Sequence, residues 1–79
     1  MTGRRIDVSP HFMEPLDYGL WEGTWYGYCP GEGRLIANFE GHKVVEHADL
    51  TITVGPSIRC SWAKHTWHGF LEQGVWREA

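Results

Sequence analysis

Apolar and polar residues alternate along several short stretches of the chain, which predicts β-strands. The clearest stretch is residues 50–54, where Leu, Ile and Val alternate with threonine as in a strand that is buried on one face. Residues 34–39 place Leu35, Ala37 and Phe39 on one face by the same period of two. Near the C-terminus, residues 67–71 and 75–77 flank a glycine-bearing loop and predict a hairpin.

The rest of the pattern predicts further strands separated by turns. Residues 20–28 are rich in aromatic side chains and favour one strand, whose internal glycines indicate a bulge or a close backbone approach. Residues 43–47 predict another short strand. Turns are expected at 30–33, at 40–41 and at 55–57, where Gly55-Pro56-Ser57 breaks the alternation. The predicted fold is therefore all-β: a small antiparallel sheet of about five or six short strands, with at most a turn or two of helix.

The N-terminal residues lack a clean period. Residues 1–18 contain two prolines and predict an irregular N-terminal arm, with the β domain covering 19–79. The arm holds four large apolar side chains that pack on the body or bind a partner protein: Phe12, Met13, Leu16 and Tyr18.

Composition supports one small domain with an aromatic core. The chain has 79 residues, of which 42% are apolar and 14% aromatic, including five tryptophans. Large rings bury much area per residue, so a compact core is feasible even though a chain of this length has a thin stability margin. We therefore interpret the tryptophans as core residues and not as a platform on which bases stack.

Charge and hydropathy exclude several classes of partner. The net charge is −3 and the seven basic residues form no cluster beyond Arg4-Arg5, so we expect no binding to nucleic acid or to anionic membranes. No apolar run approaches the length of a membrane span, and no apolar segment follows the basic residues of the N-terminus. We expect a cytoplasmic protein, in which Cys29 and Cys60 are free thiols or metal ligands and not a disulfide.

One stretch concentrates potential metal ligands. Cys60, His65 and His68 lie within nine residues, and Cys29 lies in the turn that begins Cys29-Pro30-Gly31. Two thiols and two imidazoles make the four donors that a closed tetrahedral zinc site needs. In a regular strand His65 and His68 point to opposite faces, so this site requires a bend near residues 64–66. The alternative is that both cysteines are buried core residues and the histidines are structural.

Motifs for catalysis are absent from the sequence. There is no Gly-x-Ser-x-Gly turn, no phosphate-binding glycine loop and no His-Glu-x-x-His. The sequence also lacks the His-x-Glu and Pro-Cys-x-x-Cys pair of zinc deaminases. We therefore expect that the protein is not an enzyme.

Three segments carry a resemblance to a family. They are Tyr28-Cys29-Pro30-Gly31, the run from Thr51 to Cys60 that contains Pro56-Ser57-Ile58, and Trp67-His68-Gly69-Phe70-Leu71-Glu72-Gln73-Gly74-Val75-Trp76. Together they resemble a group of small, uncharacterised phage and prophage proteins that are sometimes mislabelled as ammonia monooxygenase. The resemblance covers about residues 20–79 and implies a zinc-ribbon-like fold with a structural zinc. The second thiol of the family's first turn is missing here, since Gly31 or Glu32 stands in its place, and His65 stands where relatives often carry a further cysteine.

Two functions follow from these expectations. The first is a non-enzymatic protein-binding module, encoded by a phage, that acts on a host protein in the host cytoplasm as an inhibitor or anti-defence protein. The alternative is a small zinc-dependent enzyme with an open metal position. Coordination distinguishes the two, because four protein ligands indicate a structural zinc and three ligands plus water indicate catalysis.

Overall fold

Eight strands and one turn of 3-10 helix form the regular structure of the chain, which a computed structural model describes from Met1 to Ala79. The strands are β1 (Arg4–Arg5), β2 (Asp17–Trp21), β3 (Thr24–Tyr28), β4 (Ile36–Asn38), β5 (Lys43–Glu46), β6 (Ile52–Trp62), β7 (His65–Glu72) and β8 (Val75–Glu78), and the 3-10 helix is Pro10–Phe12. They form two four-stranded sheets, ordered β1-β2-β3-β4 and β5-β6-β7-β8. The prediction of an all-β fold is confirmed, but there are two sheets and eight strands where one sheet of five or six was expected. No helix is long and apolar enough to cross a membrane.

Two tight turns form hairpins, one in each sheet. Glu22 and Gly23 have φ angles of 48° and 79°, and Gln73 and Gly74 have φ angles of 46° and 76°. Two successive positive φ values are typical of the two-residue turn whose twist matches that of the flanking strands. The turn at Glu22 divides the aromatic stretch 20–28 into β2 and β3, so the prediction of one strand there was wrong. The predicted C-terminal hairpin is confirmed as β7 and β8.

The longest strand passes through the predicted break at residues 55–57. The pairing of β6 with β7 changes from Val54 opposite Leu71 to Ile58 opposite Gly69, so β6 contains two more residues than β7 between these pairs. Such a bulge lets Pro56, which has no N–H group, lie within a strand without removing a ladder hydrogen bond. Gly55-Pro56-Ser57 therefore bends the strand and does not end it.

The N-terminal residues belong to the body of the fold. Strand β1 pairs in parallel with β2, and Thr2 forms an antiparallel bridge to Val75 in β8. Trp76 N donates to Met1 O, with a distance of 2.7 Å between the two atoms. Residues 1–5 thus join the two sheets along one side. The prediction of an irregular arm that ends at residue 18 was wrong, because these pairings are non-local and β2 already begins at residue 17.

Both sheets enclose a single hydrophobic core. Its twelve buried members are Tyr18, Cys29, Leu35, Ala37, Phe39, Ile52, Val54, Ile58, Cys60, Trp67, Leu71 and Trp76. The rings of Trp67 and Trp76 meet edge to face, with their centroids 5.6 Å apart, and Trp76 Nε1 donates to Leu16 O over 2.9 Å. Burial of these two tryptophans confirms that the C-terminal hairpin is part of the core. Phe70 is only half-buried, on the outer face of its sheet.

Candidate binding surface

The two cysteines form a disulfide in the structure. Cys29 follows β3 of the first sheet and Cys60 lies in β6 of the second, and their Cα atoms are 6.7 Å apart. Both residues are buried, so the bond ties the two sheets together within the core. The two cysteines expected to be free thiols or metal ligands are thus bonded to each other, because the fold places the two sulfur atoms side by side. A disulfide is more typical of oxidising compartments, and the cytoplasmic location stays a prediction.

The two predicted histidine ligands lie on opposite faces of β7. The strand is regular from residue 65 onward, so the bend that a four-ligand site requires is not present. His65 stacks on Trp62, with ring centroids 6.4 Å apart, and its Nδ1 lies 3.8 Å from Glu32 Oε2. His68 lies on the outer face, directly opposite Arg59.

The four predicted zinc ligands do not come together in one site. The structure contains no group of three or more His, Cys, Asp or Glu residues that could hold a metal ion. In the disulfide form the side chains of Cys29, Cys60, His65 and His68 therefore do not fit a tetrahedral zinc site. Zinc binding by the reduced chain stays a prediction.

The predicted partner-binding residues are mostly buried. Met13 and Tyr18 are 3% and 1% exposed, and Leu16 packs against the core. Only Phe12, which is 72% exposed, presents its side chain to solvent. Arg34 Nη2 fixes the 3-10 turn that carries Phe12, donating to the carbonyl oxygens of Pro10 and His11. The three other residues pack into the body, because β1 and β2 draw the N-terminal segment into the fold, and their role in partner binding stays a prediction.

A polar and aromatic surface on the second sheet was not predicted. We call it the β6–β8 patch; it consists of outward-facing side chains from three adjacent strands, namely Arg59, Ser61, Thr66, His68, Phe70 and Arg77. The strand register places them in three cross-strand pairs: Arg59 with His68, Ser61 with Thr66, and Phe70 with Arg77. Directly opposed side chains on one sheet face lie within contact distance. The patch is therefore continuous across β6, β7 and β8.

The aromatic and basic groups of the patch are in contact. The guanidinium carbon of Arg77 lies 4.8 Å from the ring centroid of Phe70, within cation–π range, and Arg77 Nε donates to Glu72 Oε1 over 3.0 Å. The rings of His68 and Phe70 are 6.5 Å apart. Arg59 takes part in none of the ion pairs of the chain. One guanidinium of the patch is thus free to pair with a partner.

A shallow cleft lies at the Arg59 end of the patch. It has a volume of about 250 Å³, and its polar walls are the side chains of Arg59, Ser61, Thr66 and His68. A guanidinium, two hydroxyls and an imidazole are suited to a carboxylate or another anionic group. The sequence did contain the signal, because residues 57–61 and 66–72 alternate in the strand pattern. That alternation was overlooked because Cys60, His65 and His68 were interpreted as one ligand set.

A second charged cluster links the two sheets at the opposite end of the fold. Arg5 in β1 donates to Asp7 through Nε, over 3.1 Å, and also binds Glu46 in β5. The hydrogen bond from Arg5 lowers the pKa of Asp7, and the backbone N–H of Leu20, which donates to the same carboxylate, lowers it further. The arginine also lies over the ring of Trp25, 4.9 Å from its centroid. The only cation of this cluster is paired with both of its carboxylates, and we assign the cluster a structural role.

Comparisons with known proteins assign no role to the patch. No protein-family model, curated protein or solved structure matches the chain. The resemblance to phage and prophage proteins therefore stays a prediction from the short motifs quoted above.

Proposed function

We propose that the protein is a non-enzymatic binding module whose β6–β8 patch contacts an acidic surface of another protein. The observation that carries this proposal is the unpaired guanidinium of Arg59 beside His68 and Phe70 on an open sheet face. Arginine and aromatic side chains are enriched at protein interfaces and account for much of their binding energy.

The local charge supports an acidic partner. The whole chain carries a net charge of −3, yet the patch presents two arginines and one histidine. The neighbouring carboxylate of Glu72 is already engaged by Arg77. Complementary charge at an interface speeds association and selects against wrong partners. A carboxylate of the partner that enters the cleft beside Arg59 would form the charge-assisted hydrogen bonds that this guanidinium lacks in the free protein.

The biological setting of the proposal rests on the sequence resemblance. The resemblance supplies three parts of the proposal: encoding by a phage, a host protein as the target, and action as an inhibitor or anti-defence protein in the host cytoplasm. The patch supplies the chemistry of the contact. These parts are separable, because the patch would bind an acidic partner in any compartment.

The alternative function, a zinc-dependent enzyme, has weaker support. An open catalytic site needs three protein ligands and a water molecule, and the chain groups no three donors together. The two thiols that would anchor such a site are bonded to each other. The binding module is therefore the function that the geometry supports best.

A charge-reversal experiment tests the patch. Arg59→Glu removes an exposed cation that makes no intramolecular ion pair, so the fold should be retained. Lys43→Glu, at an exposed position of β5, makes the same change in net charge outside the patch and is the matched control. We expect the wild type and the Lys43 variant to recover the same partner from host lysate, and the Arg59 variant to lose it. Recovery should also weaken with added salt.

Two further measurements complete the test. Phe12→Ala asks whether the exposed residue of the N-terminal segment adds to the contact; deletion of residues 1–18 is unsuitable because it removes β1 and part of β2. A gel shift on duplex and single-stranded DNA examines the competing partner class. Equal recovery of the partner by the Arg59 variant, or a salt-sensitive DNA shift at sub-micromolar protein, would contradict the proposal.

A further inference from the structure

A cleft of about 400 Å³ opens between the two sheets, away from the β6–β8 patch. Its apolar walls come from both sheets: Trp25 belongs to β3, Phe39 follows β4, and Val44 belongs to β5. Trp25 and Val44 are partly buried against the core, so the cleft is the solvent-exposed end of the space between the sheets. Mouths of this kind, with volumes of roughly 300–1,000 Å³, are common positions for small-ligand sites in β folds.

The rim of the cleft is open because two turn glycines form it. Gly23 and Gly41 both have positive φ angles, of 79° and 86°. A Cβ atom added at either position would meet no other atom within 4 Å, so close packing does not require glycine at either position. The rim therefore leaves room for a ligand body to reach the rings of Trp25 and Phe39.

One imidazole in the wall of the cleft has an unpaired nitrogen. His42 Nε2 lies 3.3 Å from the carbonyl oxygen of Ser57, which only accepts hydrogen bonds, so Nε2 carries the hydrogen. The other nitrogen, Nδ1, then bears a lone pair. It is the one buried side-chain polar atom in the structure that has no hydrogen-bond partner. An unpaired buried acceptor adds negative potential to the wall. A nearby positive charge lowers the energetic cost of leaving this acceptor without a hydrogen bond.

The one charged side chain that lines the cleft is negative. Glu40 lines it, is exposed, and takes part in none of the ion pairs of the chain. No Lys or Arg lines the cleft. The cation that lies on Trp25, Arg5, is already paired with Asp7 and Glu46. A free carboxylate, an imidazole and two aromatic rings thus line the cleft, with no Lys or Arg among its walls.

From this arrangement we infer that the cleft binds an organic ammonium ion that carries an apolar body. The ammonium group would lie by the Glu40 carboxylate and the aromatic rings, where cation–π attraction adds to the ion pair. The apolar body would replace water against Trp25, Phe39 and Val44. Anions are excluded by the same carboxylate. This site is separate from the β6–β8 patch and does not depend on the function proposed for it.

The probe for this site is 2-phenylethylammonium, titrated into the full-length protein labelled with ¹⁵N. We expect saturable shifts of the Trp25 indole N–H signal with a Kd in the millimolar range, about 1–10 mM, as is usual for a ligand of this size. Two probes of similar shape separate charge from hydrophobicity: neutral 2-phenylethanol should bind more weakly, and 3-phenylpropanoate should not bind.

A matched pair of variants tests the carboxylate. Glu40→Gln should weaken binding of the cation by a factor of about 1.4 to 5, the range of one solvent-exposed ion pair, and should leave binding of the alcohol unchanged. Glu78→Gln makes the same change in charge at an exposed position of β8 and should have no effect. Both positions are exposed, so both variants should fold.

Three results would overturn the inference. They are equal binding of the alcohol and the cation, equal weakening by both glutamine variants, and saturable shifts confined to residues outside the cleft. Each can be read from the same titrations, since the spectrum reports every backbone and indole N–H at once.

Discussion

Reducing the Cys29–Cys60 disulfide should remove a large part of the stability of the fold. The two residues are 31 positions apart, and in the chain-entropy account a cross-link that closes a loop of that length stabilises the folded state by about 4 kcal/mol. A domain of 79 residues has a total free energy of unfolding of only about 4–12 kcal/mol. Loss of the bond should therefore leave a free energy of unfolding of only about 0–8 kcal/mol, and at the low end of this range the reduced protein unfolds at room temperature.

Urea denaturation with and without reductant measures this effect. For a small domain with a urea m value of about 1–1.5 kcal/mol/M, a loss of about 4 kcal/mol lowers the midpoint by roughly 3–4 M. The number of free thiols has to be measured in the same samples, because both sulfur atoms are buried and reduction requires that the core opens. The Cys29→Ala/Cys60→Ala double variant provides the same comparison without reductant. A reduced sample with two titratable thiols and an unchanged midpoint would refute the reasoning.

The same samples test the zinc prediction. If Cys29, Cys60, His65 and His68 rearrange around zinc in the reduced chain, stoichiometric zinc should restore the midpoint and a chelator should abolish it. Structural zinc supplies roughly 10–16 kcal/mol in apparent terms, more than the disulfide does. If the reduced protein retains no zinc, and neither zinc nor chelator changes the midpoint, the zinc prediction is wrong.

Three further substitutions probe the core, a close approach and a surface ion pair. Trp76→Phe removes the shorter of the two hydrogen bonds to Leu16 O, the other coming from Arg4 N, and leaves a gap beside it. Thermal or urea unfolding should therefore show a loss of about 2–3 kcal/mol, and a loss below about 0.5 kcal/mol would contradict the buried contact. Gly69→Ala should unfold the protein, because the added Cβ would overlap the carbonyl oxygen of Arg77, and a well-folded variant by circular dichroism would disprove that approach. Asp7→Asn tests pH dependence: its folded-state pKa lies below the ordinary 3.8, so the stability it provides with Arg5 is present at neutral pH and is lost as pH falls through the lowered value. The difference in melting temperature between wild type and this variant should thus be small, since the pair is exposed, and should vanish in acid; a difference that persists in acid would have another cause.

The parts of the fold that the sequence predicted are those encoded by local patterns. Of the alternating residues 50–54, Ile52 and Val54 are buried in β6, whereas Leu50 lies before the strand and is exposed. Leu35, Ala37 and Phe39 share the core as expected. The C-terminal hairpin was predictable because Gln73-Gly74 interrupts two apolar runs. The turn at Glu22 was missed because aromatic residues continue on both sides of it and Glu-Gly is a weaker turn signal than Asn-Gly.

The parts that were missed depend on contacts between distant residues. Nothing near Arg4 indicates that it pairs beside Asp17, and nothing near Thr2 indicates a bridge to Val75. Cysteine spacing likewise did not distinguish a metal site from a disulfide, because the distance between Cys29 and Cys60 is set by how the two sheets pack. The β6–β8 patch also required the register of three strands, which no local window contains.

The N-terminal segment has a consequence for the order of folding. Its first residues pair with β8, so the bond from Trp76 N to Met1 O closes almost the whole chain into one loop. On a ribosome β8 is made after the other seven strands, and this pairing has to wait until synthesis reaches it. Contacts of such high sequence separation form late and slow the folding of small β domains. Until then the edge of β7 that β8 covers stays open to other chains, and the nascent protein is exposed to edge-to-edge aggregation until its last strand arrives.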